Sequence, residues 1–311
     1  MVRKDKKEPD ASPRGMLIRE LIARFTSDHL IGKKIKNGEL RKKLVEAPWN
    51  VPEGLRMEEI EMEKFRMEWL ESKQQDSDMV LLQLHGGGYI GAMRNAYRTF
   101  AAAYNELGDG MPVLTIDYRV APENPYPAAL EDAISAYEWL RGERGYAGSK
   151  IIVAGDSAGG GLALALGMYL RDHAAELPAG MIVMSPWTDL TASGESYETN
   201  YEKDPLFGNT RDSLIYNREY VGLEDPQNPY ISPAFGDFTG FPPLLIQAGS
   251  YEMLLSDAEI VAQKAKKQGV KVRFHIYEGM FHVFQMAMQL MPESVLAWKE
   301  AGRFIELLQE N

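Results

Sequence analysis

The chain has 311 residues, 45% of them hydrophobic and 25% charged, with a formal net charge of −11 and no cysteine. That composition is ordinary for a globular protein of one large core, and its sign argues against nucleic acid or an anionic membrane as partner. Disulfides, thiolate metal sites and a cysteine nucleophile are excluded, which fits a reducing, cytoplasmic setting.

The first residues, MVRKDKKEPDASPRG, are charged and read as a frayed tail without the apolar stretch of a signal peptide. MLIRELIARF, 16–25, follows as a short amphipathic helix that packs on its own protein. RMEEIEMEKFRMEWLES, 56–72, alternates charged and apolar residues and predicts an antiparallel edge pair. Six short apolar runs come next: 79–85, 112–117, 150–155, 180–185, 243–249 and 272–277. Continuous apolar runs suit strands covered on both faces. Helical patterns fall between and after them, at about 94–107, 127–142, 158–172, 257–268 and 293–309. The alternation predicts an α/β fold, a mostly parallel sheet with helices on both faces. No apolar run reaches the roughly 18 residues of a membrane span.

Two regions break the rhythm. Residues 1–45 are expected to form N-terminal cap helices over a main domain of 46–311. Residues 190–235, rich in Asn, Tyr, Asp and Gly with a helical stretch near 210–220, read as a second cap insertion.

KIIVAGDSAGGGLALALGMYLRD runs from an apolar strand through Gly155-Asp156-Ser157-Ala158-Gly159 into a strong helix. This is G-x-S-x-G in the context its chemistry needs: a tight turn that presents a serine hydroxyl at a helix N-terminus. His85-Gly86-Gly87-Gly88 follows an earlier strand. Side-chain-free backbone lets amides approach a developing oxyanion. A phosphate-binding reading lacks the Walker lysine and the G-x-G-x-x-G spacing.

A serine nucleophile needs a base, and the base an orienting carboxylate. His29 precedes the sheet, His85 belongs to the glycine loop and is expected to bond its backbone, His173 closes a helix, and His275 lies inside a strand. His282, in EGMFHVFQM directly after the last strand, is favoured. Two acids compete. Ser256-Asp257-Ala258-Glu259 fits a capping box, which gives Asp257 a structural role. Glu252 lies in the preceding loop and is preferred, with Asp257 the alternative. The order Ser157, Glu252, His282 is the Ser…Asp/Glu…His order of α/β-hydrolases.

From about residue 55 onward the chain resembles the hormone-sensitive-lipase-like branch of the α/β-hydrolase superfamily, the bacterial family IV esterases. The carriers are HGGGY (85–89), DYRVAPENPYPAALED (117–132), GDSAGGGLA (155–163), SPWTDL (185–190), NPYISPAFGDF (228–238), FPPLLIQAGSYEMLLSD (241–257) and GMFHVF (279–284). The resemblance implies an α/β-hydrolase fold, an eight-stranded, mostly parallel sheet with a helical cap. It also implies hydrolysis of small carboxylic esters, usually of short acyl chains, without metal or cofactor.

By motif, Ser157 is the nucleophile, His282 the base, and the amides of Gly87, Gly88 and Ala158 the oxyanion hole. Many members carry Asp in a D-P-L-x-D stretch where this chain has Glu252 in SYEMLLSD, which reads as substitution of one acid for another. Asp117 and Arg119 are expected to pair beneath the glycine loop. Tyr89, Trp187, Phe207, Met253 and Phe281 are candidates for the pocket wall, with core packing the competing reading. Relatives often form homodimers through the last strand, here VKVRFHIYEG. A lactonase or a natural-product deacetylase would use the same chemistry. A non-catalytic receptor on this fold, as in plant gibberellin perception, lacks the histidine that His282 supplies here.

Overall fold

The structure is a computed structural model that describes residues 11–26, 46–74 and 77–310. The first ten residues of the tail, His29 and most of the expected N-terminal cap lie outside them. The elements run α1 (Pro13–Thr26), β1 (Leu55–Glu61), β2 (Arg66–Ser72), β3 (Val80–Leu84), α2 (Asn95–Leu107), β4 (Val113–Asp117), α3 (Ala128–Gly142), β5 (Ile151–Asp156), α4 (Ala158–Asp172), β6 (Gly180–Met184), β7 (Leu244–Gly249), α5 (Leu255–Lys267), β8 (Val272–Tyr277) and α6 (Pro292–Gln309).

Eight strands form one sheet in the order β1-β2-β4-β3-β5-β6-β7-β8. β1 and β2 pair antiparallel as the charged–apolar alternation predicts, β2 meets β4 antiparallel, and all later pairs are parallel. Every residue of β3, β5, β6 and β7 is buried, the reason these strands read as unbroken apolar runs. β8 closes one edge and alternates half-buried with exposed residues, ending on buried Tyr277. On one face α3, α4 and α5 cover a core that includes Tyr137, Leu162 and Val261. On the other, α2 and α6 pack Phe100, Tyr104, Trp298 and Phe304.

Register sets where the loops emerge. Leu84 pairs with Gly155, Met184 with Gln247, and Gly249 with Tyr277. The glycine loop, the Ser157 turn and the loops after β6, β7 and β8 therefore open side by side at the carboxyl edge, where α/β sheets place ligands.

Three local expectations fail, one to competing local turns and two to a partner elsewhere in the fold. The helix expected near 210–220 is only a 3-10 turn, Leu214–Tyr216. Side chains there bond their own backbone, Asp212 N to Thr210 Oγ1 at 3.1 Å and Glu219 N to Asn217 Oδ1 at 2.7 Å, which competes with helix. α5 starts at Leu255, so Ser256 is not its cap. The Ser256 hydroxyl accepts from Ser196 N and donates to Ser196 Oγ, both at 2.7 Å, tying α5 to the inserted segment. Arg119 does not pair with Asp117. It reaches α3, meeting Asp132 at 2.7 Å and Glu131 at 2.9 Å, while Asp117 accepts from Met93 N at 3.0 Å and faces Arg66.

Candidate active site

Ser157 sits at φ 53° and ψ −123°, a backbone conformation that a non-glycine residue adopts only under constraint. The constraint is close packing. A Cβ on Gly155 would strike the carbonyl of Gly159, and one on Gly159 would strike the carbonyls of Leu84 and His85. Strand, turn and helix approach that closely only with glycine at both places. The Ser157 amide donates to Met184 O at 2.9 Å, and its hydroxyl meets His282 Nε2 at 2.9 Å.

His282 Nδ1 meets Glu252 Oε2 at 2.9 Å. A carboxylate only accepts, so Nδ1 carries the proton and Nε2 is left to accept from Ser157. Glu252 is fully buried, and its other oxygen accepts from Ser185 Oγ at 2.7 Å and from Gly249 N. Ser185 Oγ in turn accepts from Val283 N at 3.0 Å, so one hydroxyl ties the carboxylate to the residue after His282. Asp257, the rival acid, lies elsewhere. Its Oδ2 accepts from the amides of Thr188 and Asp189 at 2.7 Å each, and burial pushes its carboxyl well above the usual range.

The glycine loop is pinned from below. His85, held neutral by its burial, donates from Nδ1 to Gly86 O at 2.6 Å and stacks on Tyr118 at 4.1 Å, whose hydroxyl donates to His85 O at 2.7 Å. Gly86 N donates to Asp156 Oδ1 at 3.1 Å. Beyond this anchor Gly87 and Gly88 turn to φ 116° and 64°. Among the described residues their amides donate to no protein acceptor, and Ala158 opens α4 with an amide free of any helical partner.

Asp156 itself is buried, and desolvation raises its carboxyl to about 7 against the pull of His282 and the Gly86 amide. An unfolded aspartate titrates near about 3.9. Between about 4 and about 7 the folded protein therefore binds the extra proton, and this group's contribution to stability falls as pH rises. Asp156→Asn keeps an acceptor for Gly86 and is expected to flatten that slope, read from Tm against pH.

The profile of the family described as alpha/beta hydrolase fold matches residues 81–286. An acetyl-hydrolase of Streptomyces hygroscopicus is 39% identical over 305 residues, covering 95% of this chain and 97% of the relative. An esterase of the bacterial hormone-sensitive lipase family superposes with a TM-score of 0.79 at 32% identity, over 97% of this chain and 99% of that one. This chain belongs to the hormone-sensitive-lipase-like branch of the α/β-hydrolases. It is a carboxylic ester hydrolase. The crystal structure of EstE5 soaked with p-nitrophenyl butyrate is also similar, with a TM-score of 0.85 at 30% identity over 97% of this chain and 100% of that one.

In this esterase the five wall candidates part company. The Phe207 ring lies 4.7 Å from the His282 imidazole, at the site. Tyr89 stacks on Tyr220 at 3.7 Å, and Tyr89, Trp187 and Met253 are all buried in the main core. Phe281 joins Met280 and Phe284 in a small cluster that Ile18 and Ile22 of α1 and Leu206 of the insertion cover. Sequence reasoning missed Leu214, whose side chain fills the space a Cβ on Gly88 would take. It also missed Ser185, Asn200 and Asp204. SPWTDL carried the only available signal for Ser185; nothing local marks the other two.

Proposed function

We propose that this enzyme hydrolyses short-chain acyl esters through a Ser157–His282–Glu252 triad and an acyl-enzyme. The observation that carries the reading is His282 bridging Ser157 and Glu252 with two hydrogen bonds of 2.9 Å. His282 Nε2 takes the hydroxyl proton as Ser157 Oγ bonds to the ester carbonyl carbon. Glu252 holds the imidazolium that results. The amides of Gly87, Gly88 and Ala158 receive the oxyanion. Collapse of the intermediate breaks the ester C–O bond, and the alcohol leaves with the proton from His282. Water then attacks the acyl-enzyme with His282 again as base, releasing the acid and restoring Ser157.

Leu214 over Gly88 and Phe207 against His282 set apolar groups beside the glycine loop and the base, which supports small acyl chains. Initial rates on p-nitrophenyl esters from acetate to decanoate test this. They are expected to peak at the short end, and Leu214→Ala to move the peak toward longer chains. A flat or long-chain profile would overturn the short-chain assignment.

Gly88→Ala probes the oxyanion loop. At φ 64° an added Cβ is strained and runs into Leu214. We expect kcat to fall by up to about 100-fold, the cost of displacing one well-placed donor, with KM little changed.

The same reading includes a homodimer. Among the described residues β8 is an edge strand with no neighbour on its outer side, a surface that a second copy can pair with across a two-fold axis. Light scattering in solution gives the mass directly, and a monomer at all concentrations would remove the dimer from the proposal.

A further inference from the structure

The inserted segment grips the loop of Glu252 without touching its carboxylate. Asn200 donates from Nδ2 to the carbonyls of Ser250 and Glu252, at 3.0 and 2.8 Å. Asp204 accepts at Oδ2 from the amide of Met253, at 2.8 Å. Its Oδ1 accepts from the amides of Leu206 and Phe207, at 2.8 and 3.0 Å. Both side chains are buried, 5% and 2% exposed. The backbone is thus held on both sides of Glu252 by two residues 48 or more positions away in sequence.

The opposite side of the same loop hangs on the loop of His282. Ser250 N donates to Tyr277 O and Tyr251 N to Met280 O, both at 3.0 Å. Asp204 also orients the turn whose Phe207 ring rests on His282. One buried carboxylate therefore fixes both the acid's backbone and a wall of the base. Burial pushes the Asp204 carboxyl up, opposed by its three amide donors and by His282, so the group is kept at a solvation cost that those partners offset only in part.

The cost has a geometric use. Glu252 must reach Ser185, Gly249 and His282 at once while fully buried. A glutamate has three flexible side-chain torsions, and its reach is defined only if its backbone is held at one distance. We propose that Asn200 and Asp204 are positioning residues that set the backbone of Glu252 at the distance from His282 that a glutamate spans and an aspartate does not. This rests on Glu252 being the acid of the triad.

A double-mutant cycle on p-nitrophenyl acetate tests it. Glu252→Asp in the wild-type frame pulls the carboxylate back by about 1.5 Å, one C–C bond, and is expected to lower kcat about 100-fold. Asp204→Asn is isosteric but offers one carbonyl to three amide donors. Its kcat is expected to fall about 10-fold, with KM changed by less than about twofold, as for a loosened geometry at an intact binding site. In the Asp204→Asn background the freed loop can follow the shorter side chain, so Glu252→Asp should then cost only about 10-fold. Asn200→Ala, on the other hand of the clamp, is the second frame for the same cycle should Asp204→Asn not fold.

Losses that simply multiply in a folded frame would overturn the clamp, as would an Asp204→Asn enzyme with raised KM and unchanged kcat. Glu252→Gln separates the two layers. If it keeps wild-type activity, the acid assignment fails and the clamp with it. If it is inactive while the cycle is multiplicative, the clamp alone fails.

Discussion

Ser157→Ala is expected to lower kcat/KM for p-nitrophenyl acetate by about four orders of magnitude or more, leaving only what binding and the oxyanion amides contribute on their own. The fold should not notice. The substitution removes one hydroxyl whose side-chain partner among the described residues is His282, and it keeps the backbone at φ 53° held by the same glycines. A change in stability of no more than about 1 kcal/mol is expected. Two measurements check the result: initial rates beside thermal melts, and labelling with an organophosphonate read by mass spectrometry. One phosphonyl group should attach to the wild type at Ser157 and none to the variant. An alanine variant that hydrolyses at the wild-type rate would end the serine mechanism, whatever the geometry.

Glu252→Gln should cost about 10⁴ in kcat, for a reason specific to its three donors. The carboxylate accepts from Ser185 and Gly249 on one oxygen and from His282 on the other. A carboxamide has a single oxygen. If that oxygen stays with Ser185 and Gly249, its NH2 faces His282 Nδ1, which must then give up its proton and leave Nε2 protonated toward Ser157. The base is lost. If the oxygen turns to His282, the NH2 meets the Gly249 amide head-on, and a buried donor goes unpaired at a cost of about 1–3 kcal/mol. The first outcome appears in kcat with a normal melt. The second appears in Tm with part of the activity kept. Glu252→Gln at full activity and full stability would return the acid role to Asp257, which in the structure is occupied by Thr188 and Asp189.

Most of the fold is legible in the sequence. Buried parallel strands announce themselves because both faces are apolar, and β3, β5, β6 and β7 all fall within a residue or so of their runs. The strained turn at Ser157 was legible because it demands a local pattern, small residues packed around one tight turn. His282 was reached by elimination among five histidines, and Glu252 by preference over one rival. Two of the three misreadings share a cause, a partner that lies in another element. Ser256 looked like a helix cap, Asp117 like the partner of Arg119, and 210–220 like a helix, all on the evidence of near neighbours. In the folded chain Ser256 belongs to Ser196, Arg119 to Asp132, and the 210–220 stretch to its own turns.

The wall residues mark the same boundary. Aromatic content near a motif cannot say whether a ring faces a ligand or a core, since both environments are apolar. Only the packing separated Phe207, against His282, from Tyr89, stacked on Tyr220.

What the sequence determined alone was whatever needs a short stretch of chain: strand and helix periods, the glycines around a strained serine, a glycine loop of bare backbone after a buried strand. Tertiary structure decided everything that depends on where loops from distant strands meet. Leu214 over Gly88, Ser185 under Glu252, and the grip of Asn200 and Asp204 on the backbone around Glu252 join residues 49 to 126 positions apart, in part through an insertion with no periodic pattern of its own. Such contacts leave no spacing to read, because the sheet register that aligns the loop ends, and not the chain between them, sets the distance.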